Sequence, residues 1–187
     1  MTQLEGLVPG TWAIDPAHTD IGFTVRHLMS KVRGKFEQFE GEIVIADNPL
    51  ESSASATIQL DSVNTGTAQR DDHLRSSDFF EVDENPVMRF VTTGVRVDGD
   101  DYVVTGDLTV KNVTKPVELD VEYLGVGPDP WGGTRVGFEA TTKISRKEFG
   151  VDFNIPFEGD RVVIGDQVTI QLQVEAVLQK EAESADA

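Results

Sequence analysis

Val168, Ile170, Leu172, Val174 and Ala176 alternate with Thr169, Gln171, Gln173 and Glu175, and this two-residue period recurs along most of the chain. Side chains on a strand point to opposite faces in turn, so the pattern dictates strands with one apolar and one wetted face. Ile21, Phe23, Val25 and His27 alternate with Asp20, Gly22, Thr24 and Arg26. Ala54, Ala56, Ile58 and Leu60 alternate with Ser53, Ser55, Thr57 and Gln59, and similar runs follow at Tyr102–Val110, Val117–Tyr123 and Val136–Ile144. In the run from Lys31 to Ala46 the apolar phase reverses after Phe36, which predicts a β-bulge at Glu37-Gln38. Beyond Pro86, Val87, Val91, Val95 and Val97 share one face, and Met88, Phe90 and Thr92 the other. Asp98-Gly-Asp-Asp101 is a hairpin signal.

About nine strand candidates, joined in order by turns with no helical crossover, predict an antiparallel meander. Strands this long would leave exposed edges in an open sheet, so the expected fold is all-β: an extended antiparallel up-and-down barrel of about eight strands. At 187 residues the chain fits a single domain, expected over residues 10–178, with residues 179–187 as a flexible polar tail.

One segment departs from this pattern. In Gly66-Thr-Ala-Gln-Arg-Asp-Asp-His-Leu-Arg-Ser-Ser-Asp-Phe-Phe80 a helical spacing replaces the alternation, with Asp71 and Arg75 placed as an i,i+4 pair. A short polar helix that hands over to two phenylalanines predicts a cap on one end of the barrel.

Whether the barrel is filled is left open by the pattern. Bulky inward residues (Phe23, Phe36, Phe39, Ile43, Ile58, Leu108, Phe138, Ile170) are interleaved with Gly34, Gly41, Ala54, Ala56, Gly106, Ala140 and Ala176. The small residues either leave room for a ligand or fit the taper of a packed interior.

Lys and Arg number 16 against 33 Asp and Glu, a net charge of −17, which disfavours nucleic acid as a partner. The absence of cysteine rules out disulfides, thiolate metal sites and a cysteine nucleophile. The first ten residues carry no basic region and no apolar core of a secretory signal, and no apolar stretch reaches the roughly 20 residues of a spanning helix. As written, the chain reads as cytoplasmic and not as an integral membrane protein. An exposed first or last strand offers an edge for a homodimer.

The chemical constellations are sparse. His18 and Asp20 would share a strand face, but His27 falls on the opposite one and no third ligand has convincing spacing, so no metal is expected. There is no Gly-x-Ser-x-Gly elbow and no His-Glu-x-x-His helix, and the glycines do not open helices as phosphate loops do. No cofactor and no catalytic residue is expected, although Asp71, Asp72, His73, Arg75 and Asp78 could form an acid/base cluster.

His18-Thr-Asp-Ile-Gly-Phe-Thr-Val-Arg-His27, Gly34-Lys-Phe36 with Phe39-Glu-Gly41, Arg70 to Phe80, Pro86 to Phe90, Gly106 to Val117 and Arg146-Lys-Glu-Phe-Gly150 occur in this order, and together they resemble the YceI-like family. The resemblance runs from about Gly10 to Val177. It implies a lipocalin-like extended barrel whose hydrophobic tube holds a polyisoprenoid, such as a polyprenyl phosphate or an isoprenoid quinone. One departure is Asn112-Val-Thr114 where members show Gly-Val-Thr, expected to affect only a turn. Under this reading the tail lies against Phe23, Val25, Phe36, Phe39, Ile43, Phe90, Leu108 and Phe138. Leu74, Phe79 and Phe80 close the mouth, and Arg70, His73 and Arg75 are candidates for the head group. Three readings stand at this stage: a non-enzymatic lipid carrier, an enzyme using Asp72 and His73 at the barrel mouth, and a packed barrel serving as an interaction module.

Overall fold

The alternating runs fold as strands β1 (Gly10–Ile14), β2 (Asp20–His27), β3 (Ser30–Phe36), β4 (Phe39–Ile45), β5 (Ser53–Gln59) and β6 (Val63–Asn64). After helix α1 (Ala68–Arg75) come β7 (Val87–Asp98), β8 (Asp101–Val110), β9 (Val113–Pro128), β10 (Thr134–Ser145), the short pair β11 (Pro156–Phe157) and β12 (Arg161–Val162), and β13 (Ile164–Leu178). The computed structural model describes residues 4–159 and 161–180, so most of the expected tail, residues 181–187, lies outside the described residues. Gln179 is still held by the barrel, its backbone N–H donating to the Thr11 carbonyl at 2.8 Å.

Eight strands close into an antiparallel ring in the order β1-β4-β5-β7-β8-β9-β10-β13, with β13 returning to β1 through Trp12↔Leu178, Ala13↔Val177 and Ile14↔Ala176. The barrel is as expected, but the connection order is not a simple meander. The β2–β3 hairpin leaves the sequence of neighbours and pairs with β13, from Gln173↔Asp20 to Val168↔Val25. The reason is length: the C-terminal residues of β13 serve β1 and the preceding ones serve β2. Because the first and last strands pair with each other, neither is left as the edge through which a dimer was expected to form.

The phase reversal at Glu37-Gln38 is a corner between two strands and not a bulge within one. β3 pairs with β2 and β6, whereas β4 pairs with β1 and β5. Ser62 holds the corner, its Oγ accepting the N–H groups of Glu37 (3.1 Å) and Gln38 (3.0 Å). The true bulge in this half of the barrel is in β7, where the register shifts between Thr92 and Gly94. It turns Val95 into the interior while Val91 stays outside, 54% exposed, which corrects the assignment of both to one face. Two tight turns match expectation: Asp98 pairs with Asp101 around Gly99 at φ +61°, and Asn112 sits in the β8–β9 turn at φ +63°. Asparagine tolerates that left-handed conformation, but its effect reaches past the turn: Asn112 Nδ2 donates to Asn85 Oδ1 at 3.0 Å, tying the β8–β9 turn to the segment before β7.

Buried side chains mass at the two ends. Trp12, fully buried, packs with Ile45, Val136 and Ala176 where the ring closes. At the other end Phe79, Leu108, Val110, Phe149 and Val151 form one cluster, and Phe36, Phe39, Ile58, Leu60 and Val63 another.

Candidate functional site

The glycines and alanines of the inner face behave differently. A Cβ on Gly34 would lie 2.4 Å from Phe23 Cζ, and one on Gly106 would lie 2.3 Å from Phe90 Cζ, so aromatic rings already occupy those gaps. The inward alanines Ala54, Ala56 and Ala140 leave real space. That space is an apolar tube in two sections, of about 180 Å³ and about 240 Å³. Both sections are bounded by Ile21, Ala56, Phe90, Leu119 and Leu172, which form the waist where they meet.

Most of the sequence-derived tail contacts line this tube. Ile43, Phe90 and Phe138 border the section near the ring closure, and Phe23, Val25, Phe36, Phe90 and Leu108 border the section beneath the cap. Leu74, Phe79 and Phe80 line the latter, so the interrupting segment does form a lid with its apolar side inward. Phe36 packs edge-on to Phe80 with ring centroids 6.0 Å apart, joining barrel to lid. Phe39 differs: it is buried in the cluster around Leu60 and Val63 and does not border the tube.

The three polar candidates also stand apart from the tube wall. Arg70 donates from Nε to Thr65 Oγ1 and from Nη2 to the Thr65 carbonyl, both at 2.7 Å. Arg75 donates to the carbonyls of Asp61 (2.8 Å) and Val63 (3.2 Å) and pairs with Asp72 at 3.0 Å, so the expected Asp71–Arg75 pair is replaced by an i,i+3 pair. Asp71 instead turns inward and accepts the Thr65 backbone N–H at 2.8 Å, tying down the chain before the helix. His73 Nε2 lies 2.8 Å from Asp78 Oδ2, and its ring packs edge-on to Phe79 and Phe153. Asp72 and His73 therefore serve different partners and form no acid/base couple.

Among the described residues, the one charged residue that does line the tube is Arg146, only 6% exposed. Its guanidinium donates to the carbonyls of Gly165 (2.8 Å), Val151 (2.8 Å), Phe153 (2.9 Å) and Ile164 (3.3 Å), stitching the segment after β10 to the start of β13. Burial pushes its pKa down from the usual arginine value. Sequence reading met Arg146 only inside a motif, because nothing local distinguishes a buried arginine from the exposed Lys147 beside it.

A second polar cluster sits at the ring closure. His18 is not on a strand but in the turn Pro16–His18, with Nδ1 2.8 Å from Asp15 Oδ2. Asp15, His18 and Glu175 lie close enough to share a cation, but a guanidinium already occupies that place: Arg135 Nη1 donates to Asp15 (2.6 Å) and Glu175 (2.8 Å), and its Nε to Asp129 (2.9 Å). This clamp joins the β1–β2 connection, the β9–β10 turn and β13. Arg135 and then His18 hold the Asp15 carboxyl down at about 2, from an ordinary 3.8. A depressed folded-state pKa contributes stability above pH 3.8 that is lost as pH falls through about 2. Melting temperature followed from neutral pH into that window is expected to fall less steeply in Asp15→Asn than in the wild type. Equal acid slopes would contradict the clamp.

This geometry defines a lipocalin-like class of protein, a closed antiparallel β-barrel with a capped apolar interior. Within that class the chain belongs to the YceI-like family, whose domain model matches residues 12–176. It is 42% identical over 165 residues to Protein YceI of Escherichia coli O17:K52:H18, an alignment covering 87% of this chain and 83% of that protein. A Campylobacter jejuni YceI protein of known crystal structure is 32% identical, with a TM-score of 0.70 over 89% of this chain and 96% of the other. A polyisoprenoid binding domain from Saccharophagus degradans shares the fold at 16% identity, with a TM-score of 0.69 over 92% of this chain and all of the other. Among the described residues no helix is long and apolar enough to cross a membrane.

Proposed function

We propose that this protein binds one long isoprenoid chain in its tube and stores or carries it without chemical change, the head group being a polyprenyl phosphate or an isoprenoid quinone. The observation that carries the reading is the shape of the apolar space. Tube-lining residues on β13 run from Ile164 to Val174, which is about 33 Å along a strand and roughly 25 Å along the axis of a tilted barrel. A compact metabolite would leave such a tube mostly empty, whereas an extended apolar chain matches its length and its lack of polar groups. The polyisoprenoid-binding relative by fold supports the same ligand class.

The energetics favour tail over head. About ten buried methylene-sized groups supply roughly 8 kcal/mol before association costs. Among the described residues the only cation in the wall, Arg146, has donors committed to four carbonyls, so head-group selectivity is weak. A chain-length series tests this directly. The affinity of delipidated protein for polyprenols is expected to climb with each isoprene unit until the tube is filled, then level off. Affinity independent of length would overturn the proposal. In the same assay His73→Ala is expected to leave binding unchanged, since His73 faces Asp78 and not the tube.

A further inference from the structure

The turn between β2 and β3 goes against local preference. His27 pairs with Ser30, so Leu28 and Met29 alone make the turn, and Leu28 adopts φ +53°. Tight hairpins usually give that left-handed position to glycine or asparagine, because a Cβ is crowded there. Burial does not compensate: Met29 is 99% exposed and Leu28 46%. The strands behind the turn add a second conflict, since Arg26 stands directly opposite Lys31, and like charges across a ladder are destabilising. Local rules broken with no gain in the folded state mark residues kept for another purpose.

Charge indicates what that purpose is. From Ile21 to Phe36 there is no Asp or Glu, in a chain of net charge −17. Arg26, Lys31, Arg33 and Lys35 are all exposed, and among the described residues none of them pairs with a carboxylate. The period of two places them on the outward face, opposite Phe23, Val25 and Phe36, which line the tube. Alongside, β13 presents uncharged Thr169 and Gln171, paired with Thr24 and Gly22. The apolar tip is widened by Ile155, Phe157 and Val162, each close to half exposed. Their ribbon is joined to the turn by Leu28 N–H to the Val163 carbonyl (2.8 Å) and Val163 N–H to the Ile155 carbonyl (3.1 Å). Its sequence carries Glu158 and Asp160 against Arg161, so the cationic character belongs to the hairpin alone.

We propose that the β2–β3 hairpin docks the protein on an anionic lipid bilayer. Leu28 and Met29 enter the interface, and Arg26, Lys31, Arg33 and Lys35 lie against lipid phosphates. The overall negative charge does not prevent this, because exposed charges more than a Debye length of about 8 Å away are largely screened at physiological salt. A second copy meeting the hairpin through the same face would bring the same four cations and be repelled, and a nucleic acid would leave the apolar tip unused. Docking sets the outer side of the tube wall on the bilayer. The inference goes beyond cargo binding and does not depend on it.

The test is co-sedimentation of the full chain with vesicles, which involves no isoprenoid. The protein is expected to sediment with vesicles of phosphatidylcholine plus phosphatidylglycerol, not with phosphatidylcholine alone, and to be released as salt rises. Replacing Arg26, Lys31, Arg33 and Lys35 by Gln should weaken binding by about fivefold per cation. Leu28→Gly with Met29→Ser should abolish it, although glycine suits the turn and the melting temperature stays at or above that of the wild type. No binding of the wild type to the anionic vesicles, equal binding to both vesicle types, or wild-type binding by both variants would overturn the proposal.

Discussion

Ala56→Phe is expected to lower affinity for a long isoprenoid by about a thousandfold while leaving the barrel folded. Ala56 belongs to the waist where the two sections of the tube meet, on β5 between Gly41 of β4 and Phe90 of β7. A phenyl ring there divides the tube and denies the ligand about half of its contacts. Losing about five methylene-sized contacts removes roughly 4 kcal/mol, which is three orders of magnitude in Kd. The added ring fills existing space, so overpacking is expected to cost less than the usual 1–3 kcal/mol or so for a well-packed core. Isothermal titration with a long and a short polyprenol reads both halves of the prediction: the long chain loses its advantage, while the short one keeps most of its affinity. Unchanged long-chain affinity would show that the ligand does not pass the waist.

Arg146→Met is expected to have the largest effect on stability. Removing the guanidinium takes the side-chain donor from the carbonyls of Val151, Phe153 and Gly165 in a buried setting, while the Ile164 carbonyl keeps the Asn154 Nδ2 donor at 2.7 Å. Charge-assisted hydrogen bonds and the desolvation of orphaned acceptors together make the loss about 3 to 5 kcal/mol. For a domain of this size that is a fall in Tm of about 10 °C. Arg146→Lys should recover little of it, because a single ammonium cannot reach acceptors arranged around a planar fork. Differential scanning calorimetry of the two variants checks the account, and a Tm within about 2 °C of the wild type in Arg146→Met would contradict it.

The two variants sample different layers of information. The lining positions around Ala56 were legible in the sequence because strand periodicity assigns a face to each residue, and Phe23, Ile43, Phe90, Leu108 and Phe138 reach the tube as that rule requires. Ring closure was not legible: β1 is too short for periodicity to speak, so Trp12, the largest fully buried side chain among the described residues, went unremarked. A corner and a bulge both reverse phase, which is why Glu37-Gln38 was misread; what separates them is the partner strand, and that is a long-range fact. Small residues were equally ambiguous. Gly34 and Gly106 are filled by the rings of Phe23 and Phe90 across the ladder, whereas Ala56 faces open space, and only the three-dimensional neighbours tell the two cases apart. The polar residues of the cap drew attention as possible chemistry, yet Arg70, Asp71 and Arg75 direct their hydrogen bonds to Thr65, Asp61 and Val63 in the chain leading into the cap, and to Asp72 beside them.

The central claim, one isoprenoid chain per barrel, is tested most directly by native mass spectrometry of the protein purified without delipidation, followed by organic extraction and identification of what is released. The expected result is a single adduct of isoprenoid mass, lost on extraction and restored by an added polyprenyl phosphate or isoprenoid quinone. A bare protein mass, an extract without isoprenoid and no uptake of either ligand would contradict it.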